Sequence, residues 1–351
     1  LVAILRQEGF YNSHYIDPNY HGKNGYLTKE NLETAFKSDV LGIPSISRTS
    51  KQAVSIMRMY KSAKPEGIGI LGPPHFNERL EDAFYLANAD IVVLGEGDLT
   101  LRELARQFRI DTKNLGEIKG IAYIENGKIK INHQRNKMTE EEMDNLPYPY
   151  FDSFVIANAN VDSITTSRGC RWNCKFCGVK KLFGDYRRHS IDYVIGRLKH
   201  SRLGKTNFWA DDNLAGDDKE HVEQGKEMLR RVKKEGLQRS SSIAQFSAHA
   251  QEEFLRLAKE AGIDFSCTGT ESFIDEKLRR LGKPSNSKKN IEALLRFRTI
   301  GQLVHGMMTF DSDYTSKELD EELENACRYF HTVQFFPTGP IPRSEERRVG
   351  K

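Results

Sequence analysis

From residue 160 onward one unit repeats: a short β-rich run, a loop, then a longer amphipathic stretch. The runs are "DSITTS" (162–167), "TNFWAD" (206–211), "IAQFSA" (243–248), "DFSCTGTE" (264–271), "LVHGMMTF" (303–310) and "TVQFFP" (332–337). Between them lie helical patterns such as "DKEHVEQGKEMLRRVKKEG" (218–236) and "QEEFLRLAKEAG" (251–262). A strand reached through a helix of this length joins its sheet parallel to its predecessor. Six such units in a row predict a partial (β/α)6 barrel of the TIM type, with chemistry on the loops at the carboxyl ends of its strands.

Residues 1–108 alternate in a similar way. Strand candidates are "NSHYID" (12–17), "DVLGIPSI" (39–46), "GIGILGP" (67–73) and "DIVVLGE" (90–96), with helical patterns over 31–38, 50–63, 78–87 and 100–108. Continuous apolar strands between amphipathic helices predict an α/β domain: a doubly wound parallel sheet, Rossmann-like but incomplete. The loops "SISRTS" (45–50), "GPPHF" (72–76) and "GEGD" (95–98) would line its carboxyl edge, where open parallel sheets bind ligands. "IAYIENGKIKI" (121–131) signals a hairpin, since Asn126-Gly127 suits a type I′ turn. "NLPYPYFDSF" (145–154), with prolines and aromatics but no period, reads as an interdomain linker. The expected organisation is a domain over 1–117, hairpin and linker over 118–159, and the barrel over 160–342.

A length of 351 residues exceeds what one hydrophobic core usually serves, in keeping with two domains. The formal net charge is +4, and the last nine residues, "RSEERRVGK" (343–351), supply +2 of it with four Arg or Lys against two Glu. That tail breaks the apolar rhythm before it and resembles translated adapter read-through, so 343–351 is read as non-native. The opening "LVAILRQEGF" reads as a helix already under way, so the chain is expected to be a fragment at both ends. The remaining charge is nearly balanced, without the clustered basic residues of a nucleic-acid surface. No apolar run reaches the roughly 18 residues of a membrane span, and no signal peptide is visible. Five cysteines, three of them clustered, favour metal binding in a reducing cytoplasm over a disulfide framework.

The cluster lies in "RGCRWNCKFCGVKKLFG" (168–184) as Cys170, Cys174 and Cys177, just past the first barrel strand. Its C-x3-C-x2-C spacing lets one loop wrap one metal group. Structural zinc is closed by four ligands, and an electron-transfer iron–sulfur cluster also takes four. No fourth cysteine follows at metal-site spacing. His189, twelve residues beyond Cys177, is not at finger spacing and reads as a surface residue. A cubane on three thiolates leaves one iron open to a substrate or cofactor. Cys267, inside a strand, and Cys327, on a helix, read as small core residues.

"CRWNCKFC" resembles the signature of radical S-adenosylmethionine enzymes, C-x3-C-x-aromatic-C, with Phe176 as the aromatic. The resemblance implies that the three thiolates hold a 4Fe-4S cluster and that S-adenosylmethionine chelates the open iron. Its reductive cleavage would give a 5′-deoxyadenosyl radical that takes hydrogen from a small-molecule substrate, with electrons from a reductant such as flavodoxin or ferredoxin. "FWADDNLAG" (208–216) resembles a second-strand motif of the cobalamin-associated branch, in which Asp212 and Asn213 would face the cofactor. The same pair suits a loop with a helix N-cap. "GTES" (269–272) resembles the fourth-strand segment whose Glu, here Glu271, contacts S-adenosylmethionine; a solvated strand end is the plainer alternative. "GMMTFDSD" (306–313) and "FFPTGPIP" (335–342) resemble the fifth and sixth strands. In "YRRHS" (186–190), Arg187 or Arg188 would either neutralise charge at the cluster or belong to a charged loop.

Residues 1–108 resemble the cobalamin-binding domain of the same branch, through "DVLGIPSI", "ILGPPHF" and "IVVLGEGDLTLREL". The resemblance offers Ser45, Ser47, Thr49, Gly72, Pro73, His75 and Glu96 as cobalamin contacts. It departs where Leu71 replaces the first Gly of a Gly-Gly-Pro, where a first strand and turn are missing, and where no Asp-x-His-x-x-Gly supplies an axial histidine. Cobalamin would then be held without a protein histidine ligand. The implied activity is radical chemistry on S-adenosylmethionine, with cobalamin-dependent methyl transfer as one form. Cobalamin-independent rearrangement, cyclisation or epimerisation is the alternative. An electron-carrier or zinc module would need a fourth ligand. Methylthiotransfer is disfavoured, because no cysteine precedes Cys170 to hold a second cluster.

Overall fold

A computed structural model describes residues 1–337 except 19–20, 23–25, 112–113, 217, 248–249 and 311–312. The ends of the motifs at 243–248, 306–313 and 335–342, and the tail 343–351, thus reach or lie outside the described residues. The described residues form two compact units: Leu1–Met138 with Asn145–Asn158, and Thr139–Asp144 with 159–337.

The first unit holds strands β1 (Val40–Ser45), β2 (Ile68–Pro74), β3 (Ile91–Val93), β4 (Ile121–Glu125) and β5 (Lys128–Ile131), hydrogen-bonded in that order. β1, β2 and β3 run parallel. Helices cover both faces, so neighbouring residues of one strand enter different cores. Leu71 packs with Met57, Tyr60 and Phe76, while Ile70 packs with Leu104 and Ile121. That is why β2 reads as a continuous apolar run. The departure at Leu71 is therefore a core residue, fully buried. The hairpin turns at Asn126 and Gly127, whose φ of 52° and 74° are those of a type I′ turn. β4 pairs antiparallel with β3, Ile91 opposite Tyr123. The hairpin thus extends the first sheet with two antiparallel strands. The strand expected over 12–17 does not form. There the Tyr15 hydroxyl donates to Asp17 at 2.7 Å, and the Asp17 N–H donates to His21 Nδ1 at 3.0 Å. Local side-chain bonds replace a ladder.

The second unit holds β6 (Val161–Ile164), β7 (Ser167–Arg168), β8 (Arg187–Arg188), β9 (Thr206–Trp209), β10 (Ser242–Phe246), β11 (Ile263–Glu271), β12 (Leu303–Phe310) and β13 (Thr332–Pro337). Six of them form one parallel sheet, ordered β6-β9-β10-β11-β12-β13, with the short β7–β8 ribbon apart. Helices such as Lys219–Lys234, Ser287–Ile300 and Ser316–Tyr329 connect them, begun by Asp218, Asn286 and Thr315, whose side chains accept an N–H of the first turn. Alternate strand residues, among them Trp209, Ala244, Phe246, Val304 and Met308, pack with the helices. Their neighbours face the other way. Gln245, Cys267 and His305 are register partners on that second face. Cys267 is accordingly half-buried and outside the helix-packed core, and Cys327 is exposed on its helix. Neither is the core residue expected: the alternation of β11 puts Ser266 and Thr268, not Cys267, on the helix side, and Cys327 lies on the exposed face of its helix.

Leu71→Ala should destabilise the first unit by about 2–5 kcal/mol, the usual loss for a buried leucine. Ile124→Ala, at an exposed hairpin position, should change stability by about 0.5 kcal/mol or less. Urea unfolding of both variants checks the contrast.

Candidate functional site

The cysteine loop is gripped at its neck. β7 and β8 pair Ser167 with Arg188 and Arg168 with Arg187, closing the loop between them. Gly169 follows with φ +86°, and a Cβ there would lie 2.3 Å from the Asp185 carbonyl oxygen, so only glycine fits. Cys170 N–H donates to Gly184 O at 3.3 Å. Further along, Lys175 N–H donates to Leu281 O at 3.0 Å, and Cys177 N–H to Cys174 O at 3.1 Å.

Asp211 holds the start of the loop. One of its oxygens, Oδ1, accepts the N–H groups of Thr166 and Ser167 at 2.8 and 2.5 Å and their hydroxyls at 3.2 and 2.7 Å. Its Oδ2 is buried without a hydrogen-bond partner. Burial pushes this carboxyl up, against its hydrogen bonds and the nearby Arg188 charge. Arg188 is itself buried and donates to the carbonyls of His221 and Leu214, both at 3.0 Å. It is neither a solvated loop residue nor part of the cysteine cavity. Arg187 donates to Phe183 O at 2.5 Å. His189, expected at the surface, is buried: its Nδ1 lies 3.0 Å from Asp144 and its ring stacks on Tyr193 at 4.1 Å.

Cys170, Cys174 and Cys177 border one cavity of about 380 Å³ together with Phe176, Asp212, Asn213, Glu271 and Lys283. Burial pushes the Cys174 and Cys177 thiols up, and the Lys283 charge opposes it. Among the described residues no three His, Cys, Asp or Glu side chains converge as a single-ion site. Three soft thiol donors bordering one cavity fit an iron–sulfur group.

The carboxylates of the cavity differ in role. Asp212 is pushed up to about 6, first by burial and then by the Asp211 charge. Asn213 is buried at the wall, but its amide is engaged: Oδ1 accepts Ser247 N–H at 3.1 Å and Nδ2 donates to Gly216 O at 2.8 Å. It braces two loops. Glu271 ends β11 at a register shift, where Gly269 and Glu271 oppose consecutive residues of β12. Its φ is +65°, a region non-glycine residues rarely enter. Its Oε1 lies 3.0 Å from Lys283 Nζ. Gly269 makes room for this pair, since a Cβ there would come within 2.6 Å of Glu271 Oε1. Lys283 escaped the sequence reading. The available signal was a Gly-Lys-Pro stop after a helix, which puts a cation on a loop beside the strand ends.

In the first unit, the ends of β1 and β2 bring part of the expected set together. Ser45 and Thr49 hydroxyls lie 3.0 Å apart, and Ser47 Oγ lies 3.1 Å from His75 Nδ1. Burial holds His75 below the usual histidine range. Gly72 and Pro73 lie within β2. Glu96 is buried, and its carboxylate accepts Met138 N–H at 3.1 Å.

Residues 164–329 match the model of the Radical SAM superfamily. Those residues of the second unit thus carry a Radical SAM domain. An uncharacterised methyltransferase of Pyrococcus horikoshii is 27% identical over 84% of this chain and 64% of its own. The cytidylyl-2-hydroxyethylphosphonate methyltransferase of Streptomyces wedmorensis is 26% identical over 96% of this chain and 72% of its own. The structure of OxsB, a cobalamin-dependent radical enzyme with aqua-cobalamin and S-adenosylmethionine bound, superposes with a TM-score of 0.73 at 21% identity, covering 92% of this chain and 48% of that one. The chain therefore shares the fold of that structure, and it spans 64% of the Pyrococcus relative and 48% of OxsB.

A raised carboxyl favours the protonated folded state, so Asp212 costs stability once pH rises above its unfolded value near 3.8, and the cost levels off above about 6. In the metal-free chain, Asp212→Asn should be more stable than the parent at pH 7 by up to about 3 kcal/mol. The difference should vanish below about pH 4. Denaturant titrations across that range check the sign.

Proposed function

We propose that this chain acts as a radical SAM enzyme, with Cys170, Cys174 and Cys177 holding a 4Fe-4S cluster and S-adenosylmethionine completing the coordination of its open iron. The observation that carries this is a single loop delivering three thiols to one cavity beside a Glu271–Lys283 ion pair. The bound group supplies one-electron cleavage of S-adenosylmethionine to a carbon-centred radical. Glu271 offers a carboxylate acceptor to the cofactor's ammonium or hydroxyl groups, and Lys283 offers a cation to its carboxylate. Burial and the Asp211 charge raise the Asp212 carboxyl to about 6, so it takes up a proton more readily than an ordinary carboxylate beside the thiolates. Phe176, Phe246 and Met307 add apolar surface to the lining of the cavity. The substrate is a small molecule, and electrons come from a flavodoxin- or ferredoxin-like reductant. Among the described residues no helix is long and apolar enough to cross a membrane.

The form of chemistry favoured is cobalamin-dependent methyl transfer. Two relatives are named methyltransferases, and the first unit shares the fold of a cobalamin-bound structure. Ser45, Ser47, Thr49 and His75 are the rim residues that would meet the corrin, with Gly72 and Pro73 behind them. Glu96 would act by holding its loop. A cobalamin-independent radical reaction is the second reading, favoured by Leu71, whose buried side chain stands at a position the resembled motif gives to glycine.

Anaerobic reconstitution should load about four irons per chain, and Cys170→Ala, Cys174→Ala or Cys177→Ala should abolish loading. With a strong reductant, the loaded chain should release 5′-deoxyadenosine and methionine from S-adenosylmethionine. Tight zinc without iron or sulfide would sink the reading. Equilibrium dialysis against hydroxocobalamin separates the two forms: a Kd near micromolar, about −8 kcal/mol, supports the first. Absence of retention supports the second.

A further inference from the structure

The turn that presents Glu271 is gripped from outside the cavity by two buried polar side chains on different helices. Asn290, on the helix Ser287–Ile300, donates through Nδ2 to the carbonyls of Thr270 at 3.1 Å and Ser272 at 3.0 Å. Its Oδ1 accepts the Ser285 hydroxyl at 2.7 Å, and Ser285 borders the cavity two residues after Lys283. Glu322, on the helix Ser316–Tyr329, accepts Phe273 N–H at 2.9 Å through Oε2. Its Oε1 accepts the hydroxyls of Ser272 and, at 3.3 Å, Tyr314. The Thr309 hydroxyl donates to the Glu271 carbonyl at 3.2 Å. The carbonyls of three consecutive residues, 270 to 272, are thus all tied.

These groups are costly where they stand. Asn290 and Glu322 are each 1% exposed. Burying an amide or a carboxylate is unfavourable unless its hydrogen bonds are made. Glu322 occupies the buried stripe of its helix with Ala326, where an apolar residue would serve packing better. Glu271 meanwhile holds a left-handed φ, which costs a non-glycine residue about 1–2 kcal/mol unless its surroundings impose it. The two facts explain each other: the bracket imposes the turn, and the turn aims Glu271 at Lys283.

We infer that Asn290 and Glu322 are positioning residues that hold Glu271, and through Ser285 the Lys283 segment, in the geometry that receives S-adenosylmethionine. This rests on the functional reading above. The two residues act through Glu271 and touch neither the thiols nor the ligand, so cluster loading and cofactor binding are separable.

A double-mutant cycle on the iron-loaded full chain tests it, reading the Kd for S-adenosylmethionine by anaerobic equilibrium dialysis. Glu322→Leu should weaken binding about tenfold or more while leaving iron content unchanged. Glu322→Gln should stay within about threefold of the parent, because its Oε1 can accept Phe273 N–H while its NH2 donates to the rotatable hydroxyls of Ser272 and Tyr314. In a Glu271→Ala background, Glu322→Leu should add less than about twofold, since its effect runs through a side chain already gone. Asn290→Ala should behave in the same way and replaces Glu322→Leu in the cycle if that variant does not fold. Binding by Glu322→Leu equal to the parent's, or losses that multiply in the double variant, would overturn the inference alone. A parent chain that loads iron but does not retain S-adenosylmethionine would overturn the functional reading and this inference with it.

Discussion

Asp211 carries a constraint on which the rest of the second unit's site depends. A loop that brings three thiols to one cavity needs its two ends held together. The carboxylate of Asp211 does this at one end by drawing in both polar groups of Thr166 and of Ser167, across more than 40 residues of sequence. The β7–β8 ribbon and Gly169 do it at the neck. Between these fixed ends the loop touches the body at Lys175, whose N–H reaches the Leu281 carbonyl. Ordering a loop costs conformational entropy for every residue fixed. The neck bonds secure its ends, and a polynuclear group on the three thiolates would secure its middle, so metal binding and loop order become one event.

The charges around the cavity are sorted by depth. Asp211 lies behind the wall and has Arg188 as its counter-charge. Asp212, the next residue in the chain, faces the cavity, and burial and the Asp211 charge push its carboxyl up. Glu271 keeps a cation beside it. A site that gathers thiolates already concentrates negative charge, and each added carboxylate raises the cost of the others in a medium of low dielectric. A titrating Asp212 and a paired Glu271 are two different answers to that cost.

Much of this was legible in advance, for local reasons. Strand–helix alternation, the hairpin at Asn126-Gly127 and the placement of the cysteine loop after the first barrel strand all follow from patterns within about a dozen residues. Elsewhere the local pattern misled. "NSHYID" has β-prone residues, but its polar side chains bond to their own backbone neighbourhood. His189 sits among charged residues and yet is buried, because Asp144 and Tyr193 close over it. Cys267 lies in an apolar-looking strand, but the alternation of that strand turns it away from the helices.

By itself, the sequence determined the order and kind of the elements, the three thiols on one loop and the want of a fourth, because these are matters of spacing along the chain. Only the tertiary structure decided which of two adjacent aspartates braces the loop and which faces the cavity, since that depends on how the segment after β9 meets Thr166 and Ser167, some 45 residues earlier. It alone brought Lys283 to Glu271, and Asn290 and Glu322 to the turn behind it. Those contacts join residues 12 to 50 positions apart. Parallel strands and the helices between them set such distances through register and packing, and no local pattern along the chain encodes a register.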